Sequence, residues 1–234
     1  VRRYKRFLAD VERVDEAGVV TETFTAHCAN TGSMRGLVEP GNPTLLWDSK
    51  NPKRKLPWSW KAVRVGPQGA WVGIDTQLPN ALVARGFEMN AVPGVTDISR
   101  VLREQKMGEK SRVDVVVEGD FGRLWVEVKN ATLVVDGVAR FPDAVTTRGR
   151  KHLQELQQRV AEGDQALMVF VVQRDDADAF EPADDIDPAY GAALREAVAA
   201  GVQVMVWGCT VAPAGVTWTR CLPWRDRMAT PGTT

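Results

Sequence analysis

Histidine is nearly absent from this chain: only His27 and His152 occur in 234 residues. A His-rich metal centre or a Cys/His zinc finger is thereby excluded, because either needs several such ligands at short spacing. A metal, if bound, would have to be a hard cation held by carboxylates. Cysteine is as scarce. Cys28, Cys209 and Cys221 are odd in number and form no CxxC pair, so neither a disulfide framework nor a zinc cage is expected, and a reducing cytoplasm is the expected location. No apolar run approaches the roughly 18 residues of a membrane helix, the longest being residues 166–172. The opening Val1-Arg2-Arg3-Tyr4-Lys5-Arg6 is followed by no apolar core of a leader, so no secretory signal is expected. There is no internal repeat, heptad, GxGxxG, Walker loop or GxSxG, which removes Rossmann cofactor binding and serine-hydrolase chemistry from consideration. Net charge is missing too, with 30 Lys and Arg against 30 Asp and Glu, and this argues against a protein that merely coats nucleic acid.

The zero sum hides an asymmetry. Residues 1–66 hold 12 basic against 7 acidic side chains, and the remaining residues 18 against 23. Either a basic front module is joined to an acidic back module, or the charges are scattered by chance. Rhythm divides the chain similarly. Residues 6–14 and 19–27 alternate apolar and polar around the turn 15–18, and residues 44–48, 60–65 and 70–75 add three short β-rich runs. Five such strands suggest a small Greek-key barrel of the OB type. Residues 79–88 read as a helix. In the back half, residues 112–118 and 123–129 read as strands around the turn 119–122, and residues 132–140 as a hairpin arm. Thr146 can cap a helix that ends at Gly163; residues 166–172, uniformly apolar, suit a strand covered on both faces. A helix opened by Asp187-Pro188 and a strand at 202–207 complete a βαβ unit with a parallel strand pair. The fold class is α/β, α+β overall. The assigned units are 1–80 for the barrel, 81–226 for the mixed-sheet domain and 227–234 for a flexible tail, fraying from residue 225 on.

Chemistry concentrates in the back half. Glu127 and Lys129 are two apart on one strand and so share a face, while Val126 and Val128 point the other way. Asp114, on the strand before the turn, can sit beside Glu127. Two carboxylates and an ammonium group then converge, a set suited to Mg²⁺ or Mn²⁺ and a phosphate ester; the alternative is a cross-strand ion pair on a wet face. Arg148, Arg150, Lys151 and His152 crowd the start of the next helix, where positive charge opposes the macrodipole. That placement suggests phosphate binding, or else a solvated face paired with Glu155. In the front half, Lys50, Lys53, Arg54 and Lys55 precede Trp58, as in a groove where cations follow phosphates and rings stack on bases. Trp58 is the stacking candidate; Trp47, Trp60 and Trp71 fit the core, and His27 and Cys28 fit the barrel interior.

The blocks Arg3-Tyr4-Lys5-Arg6-Phe7-Leu8-Ala9-Asp10-Val11, His27-Cys28-Ala29-Asn30-Thr31-Gly32-Ser33-Met34, Ser111-Arg112-Val113-Asp114, Glu127-Val128-Lys129 and Phe141-Pro142-Asp143-Ala144-Val145-Thr146, with Arg148-Gly149 and Lys151-His152-Leu153, resemble the sugar fermentation stimulation protein A family. The resemblance runs in unbroken order from about Arg2 to Trp224. It implies an N-terminal OB-like barrel and a C-terminal PD-(D/E)xK nuclease-like domain, with DNA and/or RNA as partner, no membrane, and a homodimer left open. It further implies that Asp114, Glu127 and the Val128 carbonyl hold Mg²⁺ or Mn²⁺, that Lys129 acts on the attacking water, and that Glu109 is an accessory acid. Arg112 joins the phosphate-facing cations. The family pattern departs from the superfamily's at the first acid, where Val113 precedes Asp114. The competing reading is a non-specific DNA-binding protein with a regulatory role in sugar (maltose) metabolism and no useful turnover.

Overall fold

The computed structural model describes residues 2–108 and 111–226. Six strands come first: β1 (Arg2–Tyr4), β2 (Leu8–Val14), β3 (Val20–Cys28), β4 (Thr44–Asp48), β5 (Trp58–Val65) and β6 (Ala70–Gly73). They form one sheet in the order β1-β2-β3-β5-β4, with β6 paired to β5. The alternation read as a strand from residue 6 forms one, but only from Leu8, and a further short strand, β1, precedes it. Lys5 and Arg6 both take positive φ, 48° and 62°, so the chain folds back and Tyr4 lies opposite Leu8. The turn at 15–18 forms as the sequence suggests, with the Asp15 carboxylate accepting from the Ala17 and Val19 N–H groups at 2.9 Å. Cys28, Met34, Leu37, Trp60, Val63, Val72 and Ile74 are buried inside this sheet as a core of its own.

The second unit starts at α1 (Leu78–Glu88) and continues through β7 (Ile98–Lys106), β8 (Arg112–Gly119), β9 (Gly122–Asn130), β10 (Leu133–Val135), β11 (Val138–Phe141), α2 (Thr147–Ala161), β12 (Gln165–Val172), β13 (Ala179–Pro182), α3 (Pro188–Ala199), β14 (Gln203–Ala212) and β15 (Gly215–Cys221). Its central sheet runs β15-β14-β12-β9-β8-β7, and β10-β11-β13 form a small second sheet. The apolar run at 166–172 becomes β12, parallel to both β9 and β14. Alternate side chains explain its composition: Leu167, Val169 and Val171 pack with α1 residues, while Met168, Phe170 and Val172 pack under α2 and α3. Each such buried side chain contributes about 1.5–3 kcal/mol, so no polar residue is tolerated on either face.

Both helix starts behave as their sequences indicate. The Thr146 hydroxyl accepts from the Gly149 N–H at 3.0 Å, and the Asp187 carboxylate from the Tyr190 N–H at 3.0 Å. Asp187 also accepts from the Thr146 N–H at 2.8 Å, which fixes the entry of α2 against that of α3. Strands β7, β13 and β15 have no clean sequence signal. β7 is an edge strand with a bulge near Ile98 and a positive φ of 57° at Glu104, and such irregularity erases period-two alternation. Residues 225–226, expected to fray, are anchored. The Arg225 N–H donates to the Phe180 carbonyl at 2.8 Å, and the Asp226 carboxylate accepts from Arg195 at 2.8 Å. The tail assigned to 227–234 lies outside the described residues.

Candidate active site

The antiparallel ladder between β8 and β9 runs from Gly119 opposite Gly122 to Val115 opposite Val126 and stops there. Beyond that point the strands part. The Val128 N–H, freed from the ladder, donates instead to Asp114 Oδ2 at 2.8 Å. A strand residue's N–H and C=O point to the same edge, so the Val128 carbonyl opens into the same gap. Asp114 Oδ1 accepts from the side-chain amide of Asn80, on the first turn of α1, at 2.6 Å. Glu127 and Lys129 continue the face of Trp125, and both Lys129 Nζ and His152 Nδ1 are hydrogen-bonded to Glu127 Oε1. Glu127 is only 1% exposed, and its Oε2 is buried with no hydrogen-bond partner among the described residues.

The two acids differ electrostatically. Burial, with the charge of Glu127 added, pushes the Asp114 carboxyl up to about 6 against the partial relief given by the Val128 N–H, Lys129 and Asn80. Burial would raise Glu127 as well, but the Lys129 charge and the hydrogen bond from His152 outweigh it and hold this carboxyl below its ordinary value. Glu127 is therefore the fixed anion of the pair. The Tyr190 hydroxyl, buried and without a partner among the described residues, is driven far above its usual range by burial and by the charges of Glu127 and Asp187.

Asp114, Glu127, Val128, Lys129, Asn80 and His152 line a cleft of about 330 Å³ between the two units. Its walls include Asn30, Gly32 and Thr76 from the first unit and Asp143, Arg112 and Arg148 from the second. The Asn30–Met34 wall is fastened from both sides. The Arg3 guanidinium donates to the carbonyls of Asn30 and Gly32 at 2.9 Å each, and the Asp143 carboxylate accepts from Ser33 Oγ at 2.8 Å and the Met34 N–H at 3.1 Å. A polar seam joins the units nearby: Gln173, at the end of β12, accepts from the Gly73 N–H at 2.8 Å and donates to Asp75 O and Asn130 Oδ1.

The remaining sequence candidates divide. Arg112 and Arg148 are exposed at the cleft mouth beside Asp114. Arg150 turns inward to Asp187 at 3.2 Å, and Lys151 pairs with Glu155 at 3.5 Å. His152 is 4% exposed and faces Glu127 rather than solvent. Glu109 lies outside the described residues. In the loop from β4 to β5, Lys50, Lys53 and Lys55 are exposed, and Arg54 donates to Ser59 Oγ at 3.1 Å. Trp58 is half-buried against Phe24. Trp47, expected in the core, is 51% exposed, with Lys61 Nζ 5.4 Å from its ring. The register explains it: Trp47 lies opposite Ser59 and the strand slips between Leu45 and Leu46, which moves the indole off the barrel interior. The sequence reading also missed Asn80 and Asp143. Neither has a local signal, since each meets the site only through tertiary contact.

Residues 77–215 match the family model described as the sugar fermentation stimulation protein RE domain, and residues 1–74 the model described as the SfsA N-terminal OB domain. The sequence is 50% identical over 223 residues to the sugar fermentation stimulation protein homolog of Geobacter sulfurreducens, covering 95% of this chain and 93% of that protein. It is 47% identical over 236 residues to the homolog of Rhodospirillum rubrum, covering 95% and 94%. Among solved structures, the fold is similar to that described as the structure of Pyrococcus furiosus SfsA in complex with Ca²⁺. The TM-score is 0.84 at 25% identity, and the match covers 97% of this chain and 94% of that one.

Proposed function

The chain belongs to the sugar fermentation stimulation protein family, and from that premise we propose that it is a divalent-metal-dependent nuclease hydrolysing phosphodiester bonds of DNA or RNA held along its N-terminal barrel. One observation carries the reading: a buried, ionised Glu127 keeps one oxygen without a partner, beside a second carboxylate and an ammonium group in an open cleft. A structural ion pair has no use for the unpartnered oxygen, whose burial costs about 1–3 kcal/mol. Among the described residues no cluster of three His, Cys, Asp or Glu side chains is arranged to hold a metal. The donor set that fits is Asp114, Glu127 and the Val128 carbonyl, all hard oxygens, with water completing the sphere. The Ca²⁺ of the Pyrococcus furiosus structure supports a divalent cation in this fold. Bound Mg²⁺ or Mn²⁺ would supply Lewis-acid stabilisation of charge on the phosphate.

The chain's own groups would do the rest. Arg148 and Arg112 hold non-bridging phosphate oxygens at the mouth. Lys129, steadied by Glu127, orients the attacking water and offsets negative charge as it gathers on phosphorus-bound oxygens. Water oxygen bonds to phosphorus as the bond to the 3′ oxygen breaks; one proton passes to that oxygen and the other to solvent, leaving 5′-phosphate and 3′-hydroxyl ends. Exposed Lys50, Lys53 and Lys55 and the indole of Trp47 provide the electrostatic and stacking contacts of the barrel. The test is incubation of single- and double-stranded DNA and RNA with Mg²⁺ or Mn²⁺ beside an Asp114→Ala control. Metal-dependent cleavage that the substitution abolishes is expected. Binding without cleavage would favour the regulatory DNA-binding reading, and cleavage surviving in the control would place the activity elsewhere.

A further inference from the structure

We propose that His152 is a positioning residue that aims two parts of this site at once, the metal-facing oxygen of Glu127 and the phosphate-facing guanidinium of Arg148; the inference rests on the nuclease reading. His152 lies on the buried stripe of α2 formed with Gly149, Leu153 and Leu156. The helix sits close to its neighbours: a Cβ at Gly149 would meet the Tyr190 ring at 3.0 Å and the Thr146 side chain at 2.8 Å. That close seating brings the imidazole to Glu127. Its neighbours on the first turns, Arg148, Arg150 and Lys151, are half-buried or exposed, whereas both of its ring nitrogens are engaged inside the protein.

Donor and acceptor counting fixes the arrangement. Arg148 Nε lies 3.3 Å from His152 Nε2, and an arginine nitrogen is always a donor. Nε2 must therefore accept, so the ring proton sits on Nδ1 and points at Glu127 Oε1. One neutral tautomer satisfies both contacts. Lys129 Nζ, 3.3 Å from Nδ1, is then a second donor converging on the same oxygen. With Oε1 engaged by two donors from the interior, Oε2 is the oxygen left for a cation. At the other end, Arg148 is gripped through Nε, which leaves its two terminal nitrogens as a fork for phosphate. One buried ring thus sets the direction of a carboxylate on β9 and of a cation on α2. Residues that orient a metal ligand in this way typically change metal affinity by 10–100-fold when replaced.

A purely packing role and this one separate in two amide variants of the full-length protein. Asparagine places its amide nitrogen near the site of Nδ1, and glutamine places its amide oxygen near the site of Nε2. His152→Asn is expected to keep Ca²⁺ affinity, measured by calorimetry without nucleic acid, within about threefold of wild type. It should weaken binding of a labelled oligonucleotide in EDTA by about tenfold, the scale of one charge-assisted contact. His152→Gln is expected to do the reverse, losing about tenfold or more in Ca²⁺ affinity while holding the oligonucleotide. Equal losses in both assays for both variants, no loss in either, or the opposite pairing overturns the inference. If wild type takes up Ca²⁺ and the variants show such a pattern, the nuclease reading stands and only the role of His152 falls; a wild type that takes up no Ca²⁺ overturns both. Should either variant fail to fold, nitrogen chemical shifts of the unaltered ring decide. The Nδ1–H tautomer in the metal-free protein supports the assignment, and the Nε2–H tautomer overturns it.

Discussion

Replacing Asp114 with asparagine should make the metal-free protein more stable and useless as a metal binder. In the fold this carboxyl is pushed from the ordinary 3.8 up to about 6, by burial first and then by the charge of Glu127. A folded-state value above the unfolded one means that the native protein binds the proton more tightly. The associated stability is present below about pH 4 and is lost as pH rises through about 6. The gap corresponds to about 3 kcal/mol at the outside. Asparagine cannot ionise, and it fits the same contacts. Its oxygen can accept from the Val128 N–H, and its amide can face Asn80 once that side chain turns its oxygen inward. Urea unfolding at about pH 8 in EDTA should therefore show the variant more stable by up to about 3 kcal/mol, with the advantage gone at about pH 4. Saturating Ca²⁺ should reverse the order, adding about 4.1 kcal/mol to wild type at a thousandfold excess over Kd and little to the variant. A variant less stable than wild type at pH 8, or an advantage that does not change with pH, would refute the picture of Asp114 as an acid held in the site at a cost.

The same acid predicts that Ca²⁺ affinity is flat above about pH 7 and falls by up to tenfold per pH unit well below 6, because the ligand must first lose its proton; calorimetry across that range that finds no fall would exclude Asp114 as a ligand. Lys129→Ala should lower cleavage by about 10²-fold or more and leave oligonucleotide affinity nearly unchanged, as single-turnover and anisotropy measurements together would show. Trp47→Ala should weaken single-stranded oligonucleotides by about 1–3 kcal/mol without lowering the thermal midpoint. Trp58→Ala should instead lower the midpoint, since that ring packs on Phe24; equal effects on binding would contradict the assignment.

Much of this was legible in the sequence, and the parts that were not share a cause. The apolar run of β12, the Thr146 and Asp187 caps and the turn at Asp15 are local signals, and each formed where the residues indicated. The alternation of Glu127 and Lys129 around Val128 put both on one face, and the structure brings Asp114, Glu127 and Lys129 to one cleft. What failed was anything decided by a partner distant in the chain. Trp47 looked like core until a register slip turned it outward. Arg150 looked like a phosphate ligand until Asp187, 37 residues on, claimed it. His152, grouped by sequence with the phosphate-facing or solvated cations of its helix, is instead buried against Glu127, a contact set by the strand beneath the helix. Strand β7 was invisible because an edge strand with a bulge carries no period.

The cleft does not belong to either half of the chain. Its far wall is a loop of the barrel, clamped by Arg3 from within and by Asp143 from the other unit. A barrel borrowed from an unrelated protein would bring affinity for nucleic acid, yet leave Asp143 without its two donors and Gln173 without Gly73 and Asp75. The site beside Asn80 would then stand open to water. Separating the halves breaks both sets of contacts, so a change of specificity by design has to graft loops onto this barrel rather than exchange it.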